Sequence, residues 1–257
     1  MTSTRYEIIP SDDTVERVQR VFADPSVVTL TVASLPKHGT EHTIACAMEL
    51  AGRGFRVVPH LAARAIESRW ALKCILSRLC DAGIDEAFVV SGDAQNPAGI
   101  YSTGLELIRD AVEFSPELAL DIAGYPEGHP HLSDESMWHH LRERAPFVRA
   151  VVTQLCFDVD AVAPYADSLR EQGITAHVVA GVPGPVKKTR LLNVATKIGV
   201  GPSLNLLQRS SSATDDASDR FDSMAFIARL TATAAGRIAG HHIYTFNDLD
   251  ALAATLR

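Results

Sequence analysis

Eight short apolar runs in this sequence each end close to a residue that can move a proton or bind a polar ligand. The runs are rich in β-branched side chains and cover residues 6–9, 27–32, 56–59, 87–90, 118–122, 149–153, 176–179 and 242–245. The residues just inside or beyond their ends are Glu7, Ser34, His60, Asp93, Tyr125 with His129, Gln154, Gly181 and Tyr244. Carboxyl, imidazole and amide groups in such positions can act in acid–base chemistry and hydrogen-bond a heterocycle.

Segments with helical periodicity separate these runs. They cover residues 12–22, 41–52, 69–82, 102–114, 133–144, 161–172, 186–199 and 219–239, with a short helical stretch at 202–207. Alternating strands and helices predict an α/β fold, and eight units predict a single (β/α)₈ TIM-type barrel. We expect one domain over residues 1–257, with a mobile Ser/Asp-rich loop near 209–219 and an active site at the carboxyl ends of the strands.

Composition narrows the class of protein. The 257 residues are 46% hydrophobic and 21% charged, which is typical of a globular protein, and the net charge of −7 argues against nucleic acid or an anionic membrane as the main partner. The four cysteines form no CxxC pair, so reduced core thiols are expected rather than disulfides or zinc ligands. The first residues contain no signal-peptide pattern, and we therefore expect a cytoplasmic protein. The oligomeric state is not indicated.

Three motifs are more specific than the architecture. They are Gly92-Asp93 after the fourth run, YPEGHP at 125–130 and TQLCFD at 153–158. With YEIIP at 6–10, PHL at 59–61 and YTFN at 244–247, their order resembles the methylenetetrahydrofolate reductase family from residue 6 to about residue 250. The combination of YPExHP with TQxxFD carries most of this resemblance.

The resemblance implies a β/α barrel with a flavin lying across the strand ends. NAD(P)H and the folate use the same face of that flavin in turn, and 5,10-methylenetetrahydrofolate is converted to 5-methyltetrahydrofolate. The expected cofactors are FAD and either NADH or NADPH, and the expected partners are tetrahydrofolate derivatives. The direction of the reaction in the cell is left open.

The resemblance also assigns roles to individual residues. Glu7 corresponds to the general acid that opens the bridging methylene to an iminium. Asp93 corresponds to a residue near the flavin and the pterin, and Gln154 to a pterin ligand. The expected flavin contacts are His60, Gly92, Asp93, Tyr101, Ala123, Tyr125 and His129. Arg144, or alternatively Arg142, would supply a charge that the family usually takes from lysine.

Each of these residues also has an ordinary structural interpretation. Glu7 could pair with an arginine such as Arg5, and Gln154 could be a capping residue satisfied by backbone. His60 could bond a carbonyl at a strand end. The histidines at 129, 131, 139 and 140 do not have the spacing of a tight ligand set, so no metal site is predicted.

The chain departs from the family pattern in several places. Ser91 stands where the family has arginine, residues 33–39 replace a Thr-Tyr-Gly turn, and residues 138–146 lack the acidic partner of the flavin ribose. The aromatic residue that stacks on the folate benzoate is replaced near Val194. A flavin-free enzyme with direct hydride transfer therefore stays an alternative. A second alternative is a pterin-binding methyltransferase, but the cysteines do not supply the zinc thiolate set that it would need. A third is a non-catalytic barrel that binds folate or flavin, and the presence of Glu7 argues against it.

Overall fold

The eight predicted strands all form and close into a parallel barrel in the order β1 to β8. The structure is a computed structural model that describes residues 3–37, 39–129, 131–198 and 219–256. The strands are β1 (Ser3–Ile8), β2 (Thr29–Val32), β3 (Arg56–Ala62), β4 (Glu86–Val90), β5 (Ala119–Gly124), β6 (Ala150–Thr153), β7 (His177–Pro183) and β8 (Gly240–Tyr244). The fold is the predicted (β/α)₈ TIM barrel.

Helices follow the strands. They are α1 (Thr14–Val21), α2 (Gly39–Gly52), α3 (Arg69–Asp81), α4 (Gly104–Phe114), α5 (Asp134–Arg144), α6 (Val159–Glu171), α7 (Lys188–Ile198), α8 (Ser223–Thr233) and α9 (Leu249–Thr255). Side-chain caps fix several starts: Ser68 accepts from Ala71 N–H at α3, and Thr103 forms a capping box with Glu106 at α4. Such caps satisfy amides that have no partner inside the helix.

The boundaries differ from the predicted ones in ways that affect the site. β3 continues to Ala62, so His60 lies inside this strand rather than beyond it, and β7 continues to Pro183. The predicted helix at 219–239 spans only Ser223–Thr233, and α9 was not predicted. The helical stretch at 202–207 and nearly all of the predicted mobile loop, 209–218, lie outside the described residues.

The chain divides into two compact units. The first unit comprises Arg5–Ala123 and Pro146–Ala150; the second comprises Met1–Thr4, Gly124–Ala145 and Val151–Arg257. In the first unit, β1 to β5 form consecutive parallel ladders in which Glu7 is the partner of Thr31 and His60 is the partner of Phe88. Since ladder partners point to the same side of a sheet, this register places Glu7 and Thr31 side by side.

A buried group of charges occupies the amino-terminal part of the strands in the first unit. Arg5 Nη1 lies 2.5 Å from Asp121 Oδ2 and 2.8 Å from Glu86 Oε1. The Arg149 guanidinium also bonds Glu86. Glu86 and Asp121 are 1% and 0% exposed, so these carboxyl groups depend on the arginines rather than on water.

In the second unit, β6, β7 and β8 approach each other closely at their carboxyl ends. Thr153 Oγ1 accepts a 2.8 Å hydrogen bond from Gly181 N–H, and the Tyr244 hydroxyl donates to Thr153 O at 3.1 Å. A Cβ atom on Gly181 would lie 2.3 Å from Thr153 O. Glycine is therefore required for this packing, which holds the end of β6, where Gln154 follows.

Two smaller findings complete the fold. Across the described ranges, no helix combines the length and the apolarity needed to span a bilayer. All four cysteines are free; Cys46 and Cys156 are buried as expected, but Cys80 is exposed on α3 and Cys74 is only partly buried. The expectation of core thiols therefore holds for two of the four.

Candidate active site

Glu7 lies partly buried in the first unit, next to His60. The Glu7 Oε2 and His60 Nε2 atoms are 3.6 Å apart, and the two side chains are 14% and 9% exposed. The His60 ring packs edge-on against Phe88 with centroids 4.6 Å apart. Thr31 Oγ1, on the strand next to Glu7, is buried and has no hydrogen-bond partner within the described part of the chain. A carboxyl group and an imidazole this close together, with little access to water, form a pair that can take part in acid–base chemistry.

Gly92 and Asp93 follow β4 after one residue, Ser91. Gly92 has φ of +88°, and a Cβ atom there would lie 3.2 Å from Ala62 Cβ, so the turn requires glycine. Asp93 is exposed at the start of the loop that runs to α4. Arg64, which the sequence analysis did not single out, bonds this loop through both its backbone and its side chain.

Two other expected flavin contacts in the first unit have different surroundings. The Tyr101 side chain is 2% exposed, and its hydroxyl donates to Asp110 Oδ2 on α4 at 2.7 Å. Burial and the neighbouring Asp110 both raise the pKa of Tyr101, so this phenol stays protonated. Ala123 lies near the end of β5 and is partly buried. Tyr101 thus has its hydroxyl committed to α4, while Ala123 can offer only a methyl group and backbone.

In the second unit, Tyr125 and His129 form one contact after β5. Their ring centroids are 4.7 Å apart at an interplanar angle of 81°. His129 Nδ1 accepts a 3.1 Å hydrogen bond from His131 N–H, which requires that this nitrogen carry no proton. Burial, and then the neighbouring His131, lower the pKa of His129. A His129 ring packed edge-on against Tyr125 offers a partly apolar aromatic contact.

Arg144 interacts with Tyr125 and Tyr165, and with Glu143 on its own helix. Its Nε donates to His140 O at 2.9 Å, and burial lowers the pKa of its guanidinium. The Tyr165 hydroxyl, on α6, accepts a 3.3 Å hydrogen bond from Tyr125 N–H. The Tyr165 ring stacks on Trp138 with centroids 5.7 Å apart. A half-buried cation in these surroundings favours a ligand that carries negative charge.

Tyr165 is a residue that sequence reasoning missed. A Cβ atom on Gly124 would lie 2.5 Å from the Tyr165 hydroxyl, so the glycine that ends β5 makes room for this side chain. In the sequence, Tyr165 appears only as a tyrosine next to Pro164 in the middle of a predicted helix. An ordinary core residue of a helix has the same pattern, so the sequence provided no reason to select it.

Gln154 directly follows β6, and its amide has a fixed orientation. Its Oε1 accepts from Leu155 N–H at 2.8 Å, while its backbone N–H donates to Gly124 O at 2.7 Å. The side-chain oxygen thus bonds the backbone, as expected if Gln154 is a capping residue. The Nε2 group can still donate to a ligand carbonyl, so capping and ligand binding are compatible at Gln154.

The first unit therefore provides a carboxyl–imidazole pair with little exposure and an exposed carboxylate. The second unit provides aromatic side chains, a half-buried cation and an amide donor. These groups can deliver a proton, bind an anion and hydrogen-bond a heterocycle. Within the residues that the structure describes, no three His, Cys, Asp or Glu side chains come together as a metal site.

Comparison with known sequences identifies a family, and comparison with solved structures identifies proteins of the same fold. A sequence profile of methylenetetrahydrofolate reductase matches residues 10–257. Among solved structures, oxaloacetate acetylhydrolase in complex with the product oxalate aligns with a TM-score of 0.60 at 9% identity, over 100% of this chain and 79% of that chain. A putative lyase/mutase from Burkholderia cenocepacia J2315 aligns with a TM-score of 0.55 at 13% identity, over 100% of this chain and 81% of that chain. At such identities these structures share the fold alone.

Proposed function

The chain belongs to the methylenetetrahydrofolate reductase family, and on that premise we propose that it interconverts 5,10-methylenetetrahydrofolate and 5-methyltetrahydrofolate by hydride transfer from NADH or NADPH. Membership makes it an oxidoreductase of one-carbon metabolism that binds a folate. The closed order of the eight strands supports residues 1–257 acting as one catalytic domain.

The observation that carries this proposal is the Glu7–His60 pair, in which Glu7 is partly buried and His60 is buried. The bridging methylene of the substrate becomes a hydride acceptor only after one carbon–nitrogen bond breaks to give an iminium. Glu7, 3.6 Å from His60 Nε2, donates its proton to the departing nitrogen. The iminium carbon then accepts a hydride and becomes the methyl group of the product. Low exposure of Glu7 keeps water from competing for that proton.

Asp93 and Gln154 bind the pterin in this proposal. A pterin presents an amino edge and a lactam carbonyl. The exposed carboxylate of Asp93 accepts from the amino edge, and the Gln154 Nε2 group donates to the carbonyl while its Oε1 stays bonded to Leu155 N–H. Each contact contributes on the order of 1–3 kcal/mol where water is excluded.

Family members typically use a flavin with a nicotinamide donor, and several residues of this chain fit a flavin. Arg144 offers a half-buried positive charge for a phosphate, and Gly92 permits close backbone approach. His60, Ala123, Tyr125 and His129 supply apolar and aromatic surface. When bound, FAD supplies two-electron chemistry between the nicotinamide and the folate. We therefore propose FAD as the cofactor.

One observation favours a flavin-free enzyme as the second candidate. Tyr101, which was expected to contact flavin, is almost fully buried, and its hydroxyl is bonded to Asp110 on α4. Because this hydroxyl is engaged within the protein and Ser91 replaces the arginine of the family, the affinity for flavin is lower than in a family member that has both groups available. In the flavin-free enzyme, the nicotinamide transfers its hydride directly to the iminium carbon.

The first prediction tests the reaction itself. Purified protein incubated with 5,10-methylenetetrahydrofolate should oxidise NADH or NADPH and form 5-methyltetrahydrofolate, measured by absorbance and by chromatography of the folates. The visible absorbance spectrum distinguishes the two candidates: flavin bands, or activity that rises on adding FAD, support the FAD enzyme. Full activity without flavin supports the second candidate. No methyltetrahydrofolate with either nicotinamide and added FAD would refute both.

A further inference from the structure

The loop between β4 and α4 carries Asp93 but contains no regular secondary structure from residue 91 to residue 103. Most of its residues are exposed, and Ile100 is 58% exposed. Fixing the backbone of one residue costs about 1–2 kcal/mol in conformational entropy, so a loop of this length does not hold a carboxylate in one place unless other groups tie it down.

One residue outside the loop makes contacts along most of its length. Arg64, in the single turn of 3-10 helix (Ala63–Ala65) that follows β3, donates from its backbone N–H to Ser91 O at 3.0 Å. Its backbone oxygen accepts from Ala98 N–H at 2.8 Å. Its guanidinium donates from Nη1 to Ala94 O and from Nε to Ser102 O, both at 3.0 Å.

The loop also fits closely against the segment that contains Arg64. A Cβ atom on Gly92 would lie 3.2 Å from Ala62 Cβ and 3.8 Å from Arg64 Cβ. A Cβ atom on Gly99 would lie 1.8 Å from Glu67 O, which no side chain could tolerate. Two glycines thus allow the loop to lie against residues 62–67, and the two side-chain hydrogen bonds of Arg64 hold it there on either side of Gly99.

We infer that Arg64 is a positioning residue that fixes Asp93 for the folate reaction by tying the β4–α4 loop to the end of β3. The inference rests on the proposed function for the role of Asp93, but the contacts themselves do not depend on it. The charged guanidinium is suited to this task because hydrogen bonds from an ionised donor are stronger than neutral ones. Asp93 directly precedes Ala94, whose carbonyl Arg64 holds, so a shift of that carbonyl moves the carboxylate.

The test is the substitution Arg64→Met, which removes the guanidinium donors and keeps an aliphatic side chain of similar length. Misplacing a reacting group by about 1 Å can cost on the order of 10²-fold in rate, so we expect kcat/KM for the folate to fall by about 10–100-fold. The control is Arg78→Met, which removes a bidentate pair with Glu41 (both contacts 2.7 Å) between α3 and α2. The control should lower the melting temperature and leave folate kinetics unchanged.

A double-mutant cycle separates positioning from general damage. If Arg64 acts through Asp93, Arg64→Met should cost less than about twofold when Asp93→Asn is already present, because coupled residues are non-additive. Independent, multiplicative losses, or wild-type folate kinetics in Arg64→Met, would overturn the inference.

A second measurement does not depend on the reaction. Amide hydrogen exchange should quicken at residues 91–103 in Arg64→Met and stay unchanged in β3 and β4. If the wild type lacks folate reductase activity but this change is observed, the proposed function fails and the loop contact stands. Unchanged exchange in the loop would overturn the loop contact itself.

Discussion

At the scale of single residues, Glu7 has the largest predicted effect. Glu7→Gln keeps the shape of the side chain next to His60 but removes the acidic proton. General acid catalysis typically contributes about 10²–10⁴-fold, so turnover of 5,10-methylenetetrahydrofolate should fall by that order. Steady-state assays of the folate reaction at saturating nicotinamide measure this loss.

The same variant carries its own control. In the FAD enzyme, oxidation of NADH with an artificial acceptor such as menadione needs no proton at the pterin. It should therefore stay within about twofold of the wild-type rate, which is well below the loss expected from removing a general acid. Equal losses in both assays would make Glu7 a structural residue. Wild-type folate turnover in the variant would place the acid elsewhere.

Residue types were easier to predict than their contacts. The sequence offered Arg5 as an ordinary partner for Glu7, but Arg5 lies at the amino-terminal part of the strands and bonds Asp121 and Glu86, whereas His60 lies beside Glu7. The two partners of Arg5 are 81 and 116 positions away, and pairing at that separation depends on the register of the barrel. Tyr165 and Arg64 escaped notice because each looks like an ordinary helix or turn residue until its neighbours are placed.

At the scale of elements, the close approach of β6, β7 and β8 depends on Gly181. In Gly181→Ala the added carbon would lie 2.3 Å from Thr153 O and 2.8 Å from Tyr244 Cε2, so backbone must move. Overpacking of this kind typically costs about 1–3 kcal/mol, which chemical denaturation should detect. Folate affinity should fall as well, because the new carbon would lie 2.9 Å from Gln154 O.

The matched control is Gly52→Ala at the end of α2. No atom lies within 4 Å of the added carbon there, so the substitution should leave stability unchanged or raise it by up to about 1 kcal/mol. If Gly181→Ala behaves like Gly52→Ala, the strand ends are not closely packed and Gly181 has no special role.

Strand positions were predicted well because β-branched runs bounded by turns are a local signal. Their carboxyl ends were predicted less well: β7 includes Gly181 and Pro183, residue types that normally indicate a turn. Pairing across the barrel overrides that local preference. The seven-residue helix α9 was missed because so short a segment carries little periodicity of its own. Its buried residues are Leu249, Ala251 and Leu252.

At the scale of the whole molecule, the barrel was predictable from the alternation of strands and helices, and the family from its motifs. The buried group of charged side chains was not predictable. The net charge of −7 does not indicate that five ionisable side chains come together in the first unit. They are Arg5, Arg56, Glu86, Asp121 and Arg149. Besides the contacts of Arg5, Arg56 Nη2 lies 3.2 Å from Glu86 Oε2, and Arg149 Nε lies 3.8 Å from Asp121 Oδ1.

This group should make stability depend on pH through Asp121. Burial first, and then the neighbouring Glu86 carboxyl, raise the pKa of Asp121 to about 7, whereas in the unfolded chain it is about 3.9. Between these values the folded state retains a proton that the unfolded state releases. The stability that Asp121 contributes is therefore greatest below about pH 4 and is lost as the pH rises to about 7.

Asp121→Asn cannot titrate, which allows this contribution to be measured as a difference. Urea unfolding of wild type and variant from pH 5 to pH 8 should show the wild-type advantage shrinking by up to about 1.4 kcal/mol per pH unit, then levelling near pH 7 to 8. Asp85→Asn, which removes a 71% exposed carboxylate 3.7 Å from the same Arg56, should give no such trend. A difference that is flat, or that grows with pH, would mean that Arg5 and Arg149 hold Asp121 ionised, because a paired carboxylate stabilises the fold only once it has lost its proton.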